Sequence, residues 1–146
     1  YKRQAIGVAQ LKKFPSFVER RRHNFAYLLK KLQKVSDKVI LPEPCKNSNP
    51  SWFGFLITCK EAGMRDKVVS YLESHGIQTR MLFAGNLIKH PCFDEMRRSG
   101  EGYRVVGELI NTDRIMDNTF WIGVYPGMTD EKLDYMAKTI GEAFQM

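Results

Sequence analysis

A long amphipathic pattern near the start of the chain limits the possible folds more than any other feature. Between residues 4 and 35, apolar side chains recur at steps of three and four, which predicts a helix with one buried face. Pro15 lacks an amide donor and clashes with the preceding turn, so we expect a break or kink near Phe14. Ser16 would then restart the helix, with Glu19 as its capping-box partner. The apolar residues are Ile6, Ala9, Phe14, Phe17, Val18, Phe25, Leu28, Leu29 and Leu32.

The rest of the chain contains several strand patterns. Ser51–Thr58 and Thr119–Tyr125 are dense in aromatic and β-branched residues, which favours strands. Val39–Leu41 and Ile77–Leu82 carry shorter strand signals. Alternation along the first of these strands predicts that Phe53 and Phe55 share one face of the sheet and that Trp52 lies on the other.

Shorter helix patterns lie between and after these strands. Helices are predicted over residues 64–74, around residues 93–98, and over residues 130–143, where Thr129 supplies the cap. A further short helix follows a cap at Asn111 or Thr112 and carries Arg114. The order of elements predicts an α+β fold: a small, mostly antiparallel sheet with helices packed on it, and a long N-terminal helix.

The positive charge is concentrated at the start of the chain. Of the net +7, residues 1–38 hold eleven Lys or Arg against two acidic residues (+9), and residues 39–146 hold twelve against fourteen (−2). Such asymmetry suits an acidic partner, nucleic acid or an acidic part of the same protein. The consecutive Arg20, Arg21 and Arg22 point in different directions on a helix, and no stacking groups are interleaved with them. We therefore favour a solvated or interface surface over a nucleic-acid site.

The cysteines limit the possible metal sites and disulfides, and the hydropathy pattern limits the possible membrane segments. Cys45, Cys59 and Cys92 are odd in number and match no metal-binding spacing, so we expect free thiols in a cytoplasmic protein and no metal site. A single disulfide is the alternative. We find no apolar run of membrane-spanning length and no signal peptide, and expect no membrane association. Because the chain begins with Tyr1, we expect it to be a piece of a longer or trimmed protein.

One stretch, Arg80–Phe93, combines polar groups with an apolar run. A segment that only fills a core has little use for Arg80 and Asn86 so close to Phe83, whereas a loop that presents polar groups from an apolar base has this composition. An ordinary surface loop is the alternative. Elsewhere there is no nucleotide-binding loop, catalytic triad or paired-carboxylate motif. The residues alone therefore predict an accessory domain with one polar site and no catalytic residue.

Six blocks, taken in order, carry a family resemblance that covers nearly the whole chain. They resemble the C-terminal part of the CDP-4-keto-6-deoxy-D-glucose 3-dehydrases, which belong with the sugar aminotransferases in the fold-type I class of pyridoxal phosphate (PLP) enzymes. By this resemblance, residues 1–35 form an interdomain helix region, residues 36–146 form the α+β body, and the N-terminal cofactor domain is absent. The blocks are Gln4–Leu11, Pro50–Phe55, Arg80–Leu87, Tyr103–Leu109, Asn111–Met116 and Thr119–Gly127.

The resemblance implies deoxysugar synthesis for lipopolysaccharide O-antigen, by removal of the C3 hydroxyl of a CDP-linked 4-keto-hexose. In the family, pyridoxamine phosphate (PMP) condenses with the C4 ketone, and a [2Fe-2S] cluster passes electrons from a reductase partner. The implied parent protein is a homodimer. Its cofactor pocket and cluster cysteines lie upstream, and Cys45, Cys59 and Cys92 do not match the cluster pattern. We therefore expect this piece alone to be inactive.

The resemblance also assigns substrate-facing residues. Phe53 stands where related aminotransferases tend to have a histidine, and is implied to border the sugar. Arg114 is implied to bind the sugar nucleotide, since a guanidinium offers a planar fork of donors; a surface salt bridge with Asp113 or Asp117 is the alternative. Arg80, Phe83 and Asn86 complete the predicted pocket.

Two other functions stay open from the sequence. A related sugar aminotransferase would also fit the blocks, although Phe53 argues against it. A free-standing interaction module could use the basic helix on an acidic partner.

Overall fold

The computed structural model describes residues 1–146 and contains five α-helices and four strands. The chain begins with helix α1 (Lys2–Leu32), followed by the two-residue strand β1 (Val39–Ile40) and by β2 (Gly54–Cys59). Helix α2 (Met64–Ser74) and strand β3 (Thr79–Met81) come next. The second half contains α3 (Asp94–Ser99), α4 (Ile110–Asn118), β4 (Thr119–Gly123) and α5 (Asp130–Ala143).

The four strands form one antiparallel sheet in the order β1-β2-β4-β3. Phe55 faces Ile122 and Ile57 faces Phe120 across the central β2–β4 pair, so the apolar alternate residues of both strands share one side. On that side α1, α2 and α5 cover the sheet. The core includes Leu28, Leu32, Val68, Leu72, Leu133 and Ile140 from the helices and Phe55, Ile57, Phe120 and Ile122 from the strands. The predicted α+β fold is confirmed.

The prediction near Phe14 is a break or a kink; helix α1 is continuous, so the break is wrong. Pro15 lies inside the helix, and the Ser16 hydroxyl donates to the carbonyl of Lys13 at 2.8 Å instead of capping a new helix. The φ angle of proline is itself helical, and only one intrahelical donor is lost. The surrounding turns are exposed, so water can reach the carbonyl that this donor would have satisfied.

Two arginines of the basic cluster bind the chain's own loops. Arg20 donates to Asp130 at 3.0 Å and to the carbonyl of Met128, while Arg22 donates to the carbonyls of Asn49 and Pro50. These contacts hold α1 against the start of α5 and against the loop before β2. The prediction of a solvated or interface surface stays a prediction, since these are contacts within one chain.

The two predicted caps of the second half have different outcomes. Thr129 caps α5 as predicted, since its hydroxyl accepts from the amide of Lys132. The cap predicted at Asn111 or Thr112 is wrong, because α4 already begins at Ile110. Leu109 precedes it in the left-handed region with φ 54° and supplies no side-chain cap. A leucine in this conformation is uncommon, and the capping pattern of the sequence gives no sign of it.

Candidate functional site

The side of the sheet away from the helices carries an open aromatic cleft. It has a volume of about 210 Å³, and no element of this chain covers it. Phe53 and Phe83, both predicted site residues, lie in its lining. The full lining is Trp52, Phe53, Gly54, Leu56, Leu82, Phe83 and Trp121.

Phe53 lies just before β2 and packs on Trp121. The two rings are 5.5 Å apart between centroids and meet edge to face at 88°, a preferred aromatic geometry. The ring of Phe53 is 58% exposed, whereas Phe55 is fully buried against Phe25. The prediction that Phe53 and Phe55 share a face is therefore wrong. Regular alternation starts only at Gly54, and Trp52 contacts Phe25 on the helix side.

Gly54 makes room for Trp121. A Cβ atom at position 54 would lie 2.7 Å from Cε3 of the indole. The indole Nε1 donates to the carbonyl of Met81 at 3.2 Å, so the ring bridges β3 and the edge of Phe53. The sequence pattern predicts Trp121 in a strand but does not indicate that its ring lines the cleft. The place of Trp121 in the cleft follows only from the strand register, which sets it opposite Leu56 on β2 and Arg80 on β3.

Of the two predicted residues on the β3 side, Phe83 lines the cleft and Arg80 does not. The Arg80 guanidinium lies within 3.2 Å of the side-chain amide of Gln78, in a separate groove that Glu73 also lines. Arg80 pairs with Trp121 across β3 and β4, is exposed and forms none of the chain's ion pairs. Phe83 follows with φ 47° and is 78% exposed. Such a backbone angle is unfavourable for a non-glycine residue. It presents an apolar ring directly to solvent.

Asn86 differs from the other predicted residues because its side chain is buried, with only 3% exposure. Its Nδ2 donates to Oδ1 of Asp113 at 2.7 Å, and its backbone amide lies 3.3 Å from Sδ of Met116. Lys89 forms an ion pair with Oδ2 of the same carboxylate at 2.8 Å. The structure thus directs Asn86 toward α4 and away from the cleft.

The two partners of Asp113 affect its titration. The hydrogen bond from Lys89, followed by that from Asn86, lowers the pKa of the Asp113 carboxyl below its ordinary value of 3.8. The carboxylate stays charged at neutral pH and accepts from both sides.

Arg114 lies on the exposed part of α4. Neither of the two alternative salt-bridge partners pairs with Arg114. Asp113 pairs with Lys89, and Asp117 forms none of the chain's ion pairs. The guanidinium forms no ion pair and remains able to bind an anionic or carbonyl oxygen.

The cysteines do not form a cluster. Cys45 and Cys92 are exposed, whereas Cys59 lies in the core, where burial raises the pKa of its thiol to about 11. No group of three or more His, Cys, Asp or Glu could hold a metal ion. These residues do not fit a [2Fe-2S] cluster, which requires close thiolates. The cleft does not fit the phosphate of PLP either, because its lining holds no cation and no hydroxyl.

A larger groove, about 570 Å³, lies elsewhere, between α5, the segment just before β3 and the end of β4. It is wide open, and Lys132 lies beside Glu131 in its lining. None of the predicted site residues lines it. We assign it no function.

The chain is similar to known proteins along nearly all of its length. Residues 3–141 match the model of the DegT/DnrJ/EryC1/StrS aminotransferase family. The chain belongs to this family. The resemblance to sugar dehydrases and aminotransferases is thereby confirmed.

Two individual relatives carry more specific names than the family model does. The chain is 51% identical over 142 residues to the lipopolysaccharide biosynthesis protein RfbH of Salmonella typhimurium, covering 96% of the chain and 31% of that protein. It is 42% identical over 140 residues to a dTDP-4-dehydro-2,6-dideoxy-D-glucose 3-dehydratase of Saccharopolyspora spinosa, covering 94% and 29%. The chain thus spans about a third of the length of these relatives.

Solved structures agree in fold. The E. coli GDP-4-keto-6-deoxy-D-mannose-3-dehydratase with bound hydrated PLP superposes with a TM-score of 0.77 at 28% identity, covering 93% of this chain and 34% of that one. The predicted fold is confirmed: the chain has the fold of the corresponding third of this PLP-containing structure. None of the helices is long and apolar enough to span a membrane.

Proposed function

We propose that the chain is the C-terminal part of a PMP-dependent CDP-4-keto-6-deoxyhexose 3-dehydrase acting in deoxysugar and lipopolysaccharide O-antigen synthesis. The observation that carries the proposal is the 51% identity to a lipopolysaccharide biosynthesis protein, together with 42% identity to a sugar 3-dehydratase. The dTDP and GDP sugars in the relatives' names support a sugar-nucleotide substrate in general. The CDP group rests on the blocks that resemble the CDP-sugar enzymes.

We assign the aromatic cleft and two arginines outside the chain's ion pairs to substrate binding. Phe53 and Phe83 offer exposed ring faces to the apolar side of a hexose. Arg80 and Arg114, neither in an ion pair, offer fork-shaped donors to a diphosphate or a carbonyl. Asn86, the fifth predicted residue, does not line the cleft. Its buried side chain binds Asp113 and so holds the loop that carries Phe83 against α4. We assign no catalytic residue to this chain.

The cofactor and the electron-transfer partners belong, in this proposal, to the remainder of the parent protein. The cleft offers no phosphate-binding group, and the three cysteines lie apart, so we derive no reaction step on this chain. PMP, the [2Fe-2S] cluster, the reductase and the homodimer contact are proposed for the parent. The chain by itself is expected to be inactive.

An aminotransferase is the second candidate function. A dTDP-4-amino-4,6-dideoxy-D-glucose transaminase of Shigella dysenteriae is also a relative, but at 24% identity over 142 residues. The higher identity to the dehydratases favours dehydration. Phe53 does so as well, because a phenyl ring cannot exchange a proton with the substrate as an imidazole can.

The test uses the full-length enzyme with PMP, a reductant, and the CDP, GDP and dTDP forms of 4-keto-6-deoxyglucose in parallel. We expect a product without the C3 hydroxyl, and expect it fastest from the CDP sugar. An aminated product would assign the enzyme to the aminotransferases. The 146-residue chain, assayed alongside under the same conditions, should form neither product.

A further inference from the structure

A polar cluster joins the loop after β3 to helix α4. Asn86 and Lys89 from the loop both bind the carboxylate of Asp113, at 2.7 and 2.8 Å, and each uses a different oxygen. We call these three residues the α4 clamp. The Asn86 side chain is almost fully enclosed, whereas the Asp113 carboxylate keeps about a third of its exposure, so water is excluded from the donor side of this bond.

The backbone of the same loop contacts α4 directly. Gly85 has φ 60°, and a Cβ atom there would lie 2.9 Å from Cβ and 3.0 Å from Sδ of Met116. The amide of Asn86 points at the same sulfur. From the other side, Arg65 of α2 donates to the carbonyl of Met116 at 2.6 Å. Loop and helix are therefore held in one arrangement.

Beyond the clamp, α4 contacts α2, β2 and β4 and leads directly into β4 at Thr119. Its start is less constrained, because Leu109 supplies no side-chain cap and the first turn has no fully buried residue. The clamp supplies the hydrogen bond and the ion pair that join this first turn to the loop after β3.

We propose that Asn86 and Asp113 are positioning residues for substrate binding. Arg114 directly follows Asp113 and has no ion pair of its own, so the position of α4 alone sets where its guanidinium can reach. The clamp fixes that position relative to the loop of Phe83. This inference rests on the proposed function, in which Arg114 binds the sugar nucleotide.

The test measures the dissociation constant of CDP for the full-length holoenzyme by calorimetry. Asn86→Asp sets two carboxylates against each other, and a lost hydrogen bond to a charged group should weaken CDP binding by about tenfold or more. The reversed pair, Asn86→Asp with Asp113→Asn, again sets a donor against an acceptor and should recover most of the affinity. Asp117→Asn, which removes an unpaired carboxylate from the same helix, is the control and should bind as the wild type does.

A second measurement separates positioning from a general loss of stability. In an Arg114→Ala background, which itself binds CDP more weakly, Asn86→Asp should cause little further loss, since both changes act through the same contact. Unchanged CDP binding by Asn86→Asp, failure of the reversed pair to recover affinity, or fully additive losses would overturn the inference while leaving the proposed function intact. If Arg114→Ala itself binds CDP normally, Arg114 does not bind the diphosphate of the sugar nucleotide, and the inference fails.

Discussion

Gly54 determines whether the aromatic cleft can keep its shape. Gly54→Ala would bring a methyl group to 2.7 Å from the Trp121 ring, which is held by its bond to Met81 and by the edge of Phe53. We expect a loss of about 1–3 kcal/mol in the free energy of unfolding, typical of overpacking. Urea unfolding of the 146-residue chain measures it.

Gly123 supplies the matched control, since it pairs with Gly54 across β2 and β4 and a Cβ atom there would meet nothing within 4 Å. Gly123→Ala should cost much less than Gly54→Ala. Equal losses would mean that the chain conformation, not the Trp121 ring, requires glycine at position 54.

The three thiols should differ in reactivity for a related local reason. Burial raises the pKa of Cys59 to about 11, so at about pH 8 it is neutral as well as enclosed, whereas Cys45 and Cys92 are exposed. A thiol reagent should label Cys45 and Cys92 quickly in the folded chain and label Cys59 only after unfolding. Rapid labelling of Cys59 in the folded state would contradict the core described above.

At the scale of the elements, the contribution of α4 to the free energy of unfolding should depend on pH, because of Asp113. Its folded-state pKa lies below the ordinary value, so this carboxylate stabilises the folded state above that value, and the contribution is lost as pH falls through the folded pKa. The free energy of unfolding of the wild type should therefore decrease more steeply from about pH 5 to pH 2 than that of Asp113→Asn. Parallel curves for the two proteins would show that the contacts of Asp113 do not stabilise the fold.

Helices α1 and α4 also show which features of the fold can be predicted from sequence patterns and which cannot. The period of α1 was sufficient to predict a long helix, because apolar spacing survives a single proline. The predicted break failed because Pro15 removes only one bond in an exposed turn. The start of α4 could not be predicted, because Leu109 precedes it with a left-handed backbone angle φ, and no capping pattern in the sequence indicates such an angle.

The surroundings of the predicted site residues could be inferred from the sequence only in part, and their role in substrate binding stays a prediction. The composition of the Arg80–Phe93 stretch indicated a special loop, and the family blocks indicated Phe53 and Arg114. The burial of Asn86 was not predictable, because its partner Asp113 is 27 residues away and its contact depends on how α4 packs. The role of Trp121 likewise required the strand register.

At the scale of the whole molecule, the exposed apolar surface predicts self-association of the isolated chain. The first half of α1 extends beyond the core with Ile6, Leu11, Phe14 and Phe17 exposed, and the uncovered cleft adds Phe53 and Phe83. Each large apolar side chain gains about 1.5–3 kcal/mol on full burial, so a few of them suffice to drive association at moderate concentration. The average mass in sedimentation should rise with concentration, together with binding of an apolar dye.

Two double variants separate the apolar contribution from charge. Leu11→Lys with Phe14→Lys removes apolar surface and should raise the concentration at which the chain associates and reduce dye binding, while Phe53 and Phe83 stay exposed. Gln4→Lys with Gln10→Lys adds the same charge to the same exposed half of α1 without removing apolar groups, and should associate nearly as the wild type does. A wild-type chain that stays monomeric and dye-free at high concentration would mean that these residues need no cover. The expectation that this helix packs against the remainder of a larger enzyme would then lose its main physical support.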